Sequence, residues 1–149
     1  MFKDIETAVF DLDGTLIVQD SLYEQLKTIL EFSLVRFLSS LVTLIVDGRV
    51  CFKRKVFQIN EEYDLNNTSL SKIRVNQIAR REFYNTKKSG ITVIVATAAY
   101  WRTALKVLKK IEVCPDILIS TRNKHNLKGK MKLKYLLPHV NGVRWAYYG

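Results

Sequence analysis

The sequence predicts an α/β fold, a parallel sheet with a mostly helical insertion after its first strand, and three observations carry that expectation. A short apolar run, Thr7 to Phe10, closes on Asp11-Leu12-Asp13-Gly14-Thr15, a loop composition set directly behind a strand. Ile91 to Ala96 is apolar or β-branched at every position, the form of a strand buried on both faces of a parallel sheet. From residue 90 onward strand-like and helix-like stretches alternate, whereas the stretch from 20 to 80 reads mainly as helix.

The elements follow in order. Ser21-Leu22-Tyr23-Glu24 has the spacing of a capping box, so a helix should begin near Ser21. Apolar residues recur from Leu22 to Leu44, and Asp47-Gly48 supplies a turn before a further helical stretch from Val50 to about Ile59. The polar segment Asn60 to Ser71 reads as a loop, and Ile73 to Lys88 as a helix stopped by Gly90. The strand beginning at Ile91 should end at Thr97. Trp101, Ala104, Leu105, Leu108 and Ile111 recur at helical spacing, and Pro115 precedes a third strand, Ile117 to Ile119. Leu127, Met131 and Tyr135 mark a last helix that Pro138 should stop, and Val143 to Tyr148 is the last strand candidate.

A chain of 149 residues, 48% of them hydrophobic, can bury one ordinary core, so global disorder is not expected. The formal net charge of +10 favours phosphorylated metabolites, anionic headgroups or nucleic acid without choosing among them. Cys51 and Cys114 lie in no C-x-x-C or Cys/His cluster, which argues against structural zinc and against a disulfide framework and suits a reducing cytosol. Met1 to Glu6 carries acids where an export signal would place its apolar core. Within the apolar segment Leu26 to Val46, the charge-free run from Phe37 is too short to span a bilayer. A buried helix is expected there, with an interfacial one as the alternative.

Ligands of open parallel sheets bind beyond the carboxyl ends of the strands, where Asp11, Asp13 and Thr97 stand. Two carboxylates separated by one residue can divide labour, Asp11 attacking phosphorus while Asp13 moves protons. Gly14 lets backbone approach a phosphate. A plain strand-to-helix turn has the same composition. A calcium loop does not fit, because its first and twelfth positions would be Val9 and Asp20. The Thr97 hydroxyl and the amides of Ala98 and Ala99 could bind phosphate oxygens, or Thr97 could simply cap a helix. Lys128, in Asn126-Leu127-Lys128-Gly129, could neutralise a phosphate or be one more solvated lysine among its neighbours.

Together these residues resemble the haloacid dehalogenase-like superfamily: Asp11 to Thr15 matches its first motif, Thr97 its second and Lys128 its third, in the right order. The nearest form is the hydrolase domain found ahead of UbiA-type polyprenyl prenyltransferases, which shares Ala-Thr-Ala-Ala and Asn-Leu-Lys-Gly with this chain. The resemblance implies a Rossmann-like core formed by 1–19 and 81–149, with a helical cap formed by 20–80. It implies an aspartyl-phosphate at Asp11, acid/base work by Asp13, and phosphate contacts from Gly14, Thr15, Thr97, Ala98 and Lys128. It also implies magnesium held by Asp11 and the Asp13 backbone carbonyl. The family's fourth motif would start at Gly149, where the sequence stops, so the metal site is expected to lack one carboxylate.

The expected function is therefore a magnesium-dependent phosphatase acting on a phosphorylated small molecule or lipid-linked phosphate. An inactive domain that binds phosphate ligands, a membrane or a partner through the same pocket is the alternative. Peripheral membrane contact and association with a prenyltransferase would place it in the cytoplasm, at the inner face of the membrane. Nucleic acid is not expected as a partner, because the aromatics are not interleaved with Lys53-Arg54-Lys55 or with the lysines from Lys124 to Lys134. Those runs read as solvated faces, and His125 and His139 as surface residues without metal or triad spacing.

Overall fold

The computed structural model describes residues 5–149. The expectation about an export signal rests largely on Met1 to Asp4, which lie outside the described residues. The chain runs through β1 (Thr7–Phe10), α1 (Ser21–Phe32), α2 (Leu34–Val46), α3 (Gly48–Glu62), α4 (Asn66–Ser71), α5 (Gln77–Lys88), β2 (Thr92–Tyr100), α6 (Trp101–Lys110), β3 (Ile117–Thr121), α7 (Lys130–Val140) and β4 (Trp145–Tyr148). The strands form one sheet in the order β3-β2-β1-β4, and every pairing is parallel. The α/β class, the parallel sheet and the helical insertion behind β1 are as the sequence predicts.

Side chains alternate along a strand, so each face of the sheet collects its own core. Ala8, Phe10, Val93 and Val95 pack with Phe83 of α5 and with Ala104, Val107 and Leu108 of α6. Val9, Ile94 and Ala96 pack on the other face with Leu136 and Val140 of α7. The insertion has a third cluster, Ile29, Phe52, Val56 and Ile59, joined by Phe37, Leu41 and Leu44.

Local details depart from the sequence-based expectations. No capping box forms: Asp20 is the N-cap of α1 and accepts from the Tyr23 amide at 3.0 Å, while Ser21 is already helical and wholly buried. The apolar stretch from Leu22 to Leu44 is two helices. Ser33 breaks it with an extended backbone (φ −159°, ψ 114°), and its hydroxyl accepts from the Arg36 amide at 3.4 Å. The α2 helix is not buried, Ser40 being its one buried residue, because Phe37, Leu41 and Leu44 on a single side already complete its packing.

The segment from Asn60 to Ser71 is largely helical. Its polar side chains bond to their own helices, Asn60 Nδ2 to the Val56 carbonyl at 2.9 Å and the Ser69 hydroxyl to the Asn66 carbonyl at 3.2 Å. The next helix starts at Gln77, since Val75 makes an antiparallel bridge to Ile17 and Asn76 caps the amides of Ile78 and Ala79. Strand β2 continues to Tyr100, past an irregularity between Ala96 and Tyr100 in its pairing with β3. Pro138 does not stop α7, which reaches Val140; Pro138 and Lys134 are exposed, so the carbonyl that proline leaves without a donor lies on the solvent side.

Candidate active site

The crossovers place β2 and β3 on one side of β1 and β4 on the other, which makes the carboxyl end of β1 the point where the winding reverses. Asp11 is the first residue beyond that end, and its amide extends the pairing by donating to the Tyr148 carbonyl at 2.9 Å. One carboxylate oxygen, Oδ1, accepts from the Leu12 amide at 2.8 Å. The other, Oδ2, accepts from Lys132 Nζ at 2.5 Å and from the Tyr147 hydroxyl at 3.1 Å. Burial alone would lower the Lys132 pKa, but its hydrogen bond to Asp11 and the Asp11 charge outweigh that and hold it above the usual lysine range.

Gly14, at φ +76°, makes the turn that brings Asp13 back over the strand ends. Asp13 Oδ1 accepts from the Ser21 amide, the first of α1, at 2.7 Å, and Oδ2 lies 3.5 Å from the Thr97 hydroxyl. Burial pushes the Asp13 carboxyl above its ordinary pKa; the Ser21 bond opposes this, and the charges of Asp20 and Asp11 reinforce it. Thr97 is wholly buried, and its hydroxyl oxygen accepts from the Ala99 amide at 3.0 Å. Thr97 thus lies inside β2 and caps no helix, the N-cap of α6 being Tyr100. The Ala99 amide is engaged rather than free.

The two aspartates open into a cavity of about 490 Å³ between the sheet end and the insertion. Core residues Asn126, Lys128 and Lys132 line it together with Leu22, Leu44, Arg49, Phe52 and Lys53 from the helices. Lys53 Nζ bonds to the Ala98 carbonyl and to Asn126 Oδ1 at 2.6 Å, and so ties α3 to the strand ends. Burial pulls the Lys53 pKa down, partly offset by Asp13 and Asp20. A second cavity of about 500 Å³ lies against β3, lined by Arg122, Lys124, His125 and His139 among others. It contains no carboxylate, so of these two cavities only the first can house the nucleophile and acid of a phosphoryl transfer.

Of the residues singled out from sequence, the structure brings Asp11, Asp13, Ala98 and Lys128 to one cavity, with Thr97 directly beneath Asp13. Lys128 is exposed on its rim. Gly14 is exposed in the turn, and the Thr15 amide closes it onto the Leu12 carbonyl at 3.3 Å. Sequence reasoning missed Lys132, Lys53 and Tyr147. A usable signal existed for Lys132, which shares an i, i+4, i+8 face with Leu136 and Val140, the inward face of α7. For Lys53 none did, since it stands in a basic triplet whose inward member depends on how α3 docks.

As to metal, Asp11 and the Asp13 carbonyl are hard oxygen donors suited to magnesium. Among the described residues, no three His, Cys, Asp or Glu side chains gather at one point.

No protein-family model matches the chain, and no curated protein does either. Solved structures do. A predicted phosphatase from Clostridium acetobutylicum superposes with a TM-score of 0.63 at 14% identity, over 97% of this chain and 76% of its own. A phosphoserine phosphatase in apo form gives 0.57 at 14% identity, over 97% and 76%. A HAD family hydrolase from Salmonella enterica serovar Typhi gives 0.58 at 12% identity, over 92% of this chain and 52% of its own. The chain has the haloacid dehalogenase-like fold. In this fold the switch point at β1 is occupied by Asp11, which is why the resemblance read from the sequence and the geometry of the sheet meet at one residue.

Proposed function

We propose that the protein is a phosphohydrolase of the haloacid dehalogenase-like superfamily that hydrolyses a phosphate ester through an aspartyl-phosphate on Asp11. The observation that carries this reading is the pair Asp11 and Asp13 at the switch point, inside a cavity whose other charged lining is Asp20, Arg49, Lys53, Lys128 and Lys132. An oxygen of Asp11 would attack phosphorus, forming an O–P bond as the ester O–P bond breaks. Asp13, which burial biases toward its neutral form, would give its proton to the leaving oxygen and then take one from the water that cleaves the acyl phosphate. Lys132 would steady the nucleophile and the transferred group. Arg49, Lys53 and Lys128 would hold the dianion's remaining oxygens. Magnesium, held by Asp11 and the Asp13 carbonyl, would neutralise charge on the phosphoryl group. Phosphorylated small molecules and lipid-linked phosphates both suit the cavity's charge. The motif likeness to domains that precede UbiA-type prenyltransferases supports the second, a cytoplasmic site at the inner membrane face, and association with such an enzyme.

The test is phosphate release from an aryl phosphate, with and without magnesium. Turnover should fall at least about a thousandfold in Asp11→Asn, as removal of a covalent nucleophile does. Equal turnover in wild type and Asp11→Asn would remove the reading. One observation favours a second reading, a non-catalytic phosphate-binding domain: Lys132 and Tyr147 both occupy Asp11 Oδ2, the atom that would have to attack or hold metal. Ligand-dependent stabilisation with no turnover would support that alternative.

A further inference from the structure

Helix α2 is apolar on two sides. Phe37, Leu41 and Leu44 face the insertion's own core. At about 100° per residue, an adjoining arc of roughly 120° carries Leu34, Ile45, Leu38, Val42, Val35 and Val46. All six are exposed, from 50% at Leu38 to 83% at Ile45. Arg36, Ser39 and Thr43 fall outside the arc, so no polar residue interrupts it. Isolated apolar side chains on a surface are ordinary, but six on one strip of one helix mark a contact surface.

The charge beside this strip selects the occupant. Between Leu34 and Asn60 the chain carries five basic residues against one acid, Asp47; Arg49 and Lys53 line the active cavity, which leaves Arg36, Arg54 and Lys55 for the surface. Arg54 and Lys55 line the same groove as Val42 of the strip. A second copy of the chain would bring these cations face to face. An anionic bilayer supplies apolar depth and negative charge together. Among the described residues no helix is long and apolar enough to cross a membrane, so the geometry is that of a helix lying in the interface. Leu44 of α2 and Arg49 line the active cavity, so the cavity opens on the side of α2 turned away from the strip.

We propose that α2 is an interfacial helix that seats the domain on an anionic lipid surface through Leu34, Val35, Leu38, Val42, Ile45 and Val46. The proposal rests on α2 and its flanking charge and not on the chemistry at Asp11. Co-sedimentation with vesicles of phosphatidylglycerol and phosphatidylcholine, against phosphatidylcholine alone, tests it. The protein should partition onto the anionic vesicles at least about tenfold more strongly, and Val35→Asp/Ile45→Asp should lose about tenfold or more of that binding. Both side chains are exposed, so the variant should keep its Tm. If it does not, Val35→Ser/Ile45→Ser should still reduce binding severalfold. Asp11→Asn should bind as the wild type does. No partitioning, or partitioning indifferent to both α2 variants, overturns the proposal. A dimer that the α2 variants dissolve, with no vesicle binding, overturns it in favour of self-association.

Discussion

Asp13 is held where its proton is welcome, and that has a consequence for stability as well as for catalysis. Its pKa in the folded chain is raised above the ordinary value of 3.8, chiefly by burial. The folded state therefore holds this proton more tightly than the unfolded chain does. The stability this group contributes is full below the unfolded pKa and is lost as pH rises through the raised folded value. Once ionised, a buried Asp13 is a cost. Asp13→Asn keeps the shape and removes the charge, so Tm at pH 7 should rise by about 2 to 4 °C while turnover is lost, and the gain should vanish toward pH 3. Thermal scans of both proteins across pH measure this, and a lower Tm for the variant at pH 7 would contradict it. At this scale Asp11, Asp13 and Thr97 were legible because strand register fixes where a residue just beyond a strand end must point. Lys128 stood in the expected motif, yet Lys132 holds Asp11, because the turn at Gly129 sets Lys128 on the rim and aims the inward face of α7 at β1.

Among the elements, the start of α1 shows how a spacing can mislead. Ser21 and Glu24 have capping-box separation, but the capping oxygen comes from Asp20, one residue earlier. The register shifts because Asp13 takes the Ser21 amide, drawing the first turn of α1 into the site. Asp20→Ala should cost about 1 kcal/mol in urea unfolding. Ser21→Ala should cost less than that, since the Ser21 hydroxyl caps no amide of α1. The reverse order of effects would restore the capping box. Elements whose pattern meets the sheet were readable, as with β2 and α6, because burial on a known face imposes the period. The break at Ser33 was not, since it involves neither Gly nor Pro, and the exposure of α2 was not, since an apolar strip looks the same whether it is covered or bare.

For the molecule as a whole, the net charge of +10 matters less than where it converges. Some cations are spent in pairs, such as Lys72 with Glu31 and Arg80 with Glu112, and these exposed pairs add little. Arg49, Lys53, Lys128 and Lys132 share one cavity with Asp11, Asp13 and Asp20, and of these cations Lys132 is itself paired with Asp11. Placing a dianion there would relieve repulsion among the cations, and only the folded chain assembles them, so phosphate should stabilise the fold by mass action. For a dissociation constant near 1 mM, 10 mM orthophosphate would add about 1.4 kcal/mol, or about 2 to 4 °C in Tm. Sodium chloride at matched ionic strength should add much less, because screening acts on every surface charge alike. Lys53→Met should cut the phosphate effect by half or more, since it removes the cation that spans insertion and sheet. Equal stabilisation by phosphate and chloride would mean that the charge acts only diffusely and that the cavity holds no anion. A shift that survives Asp11→Asn but vanishes with Lys53→Met would show that ligand capture depends on closure of the helical layer and not on the nucleophile.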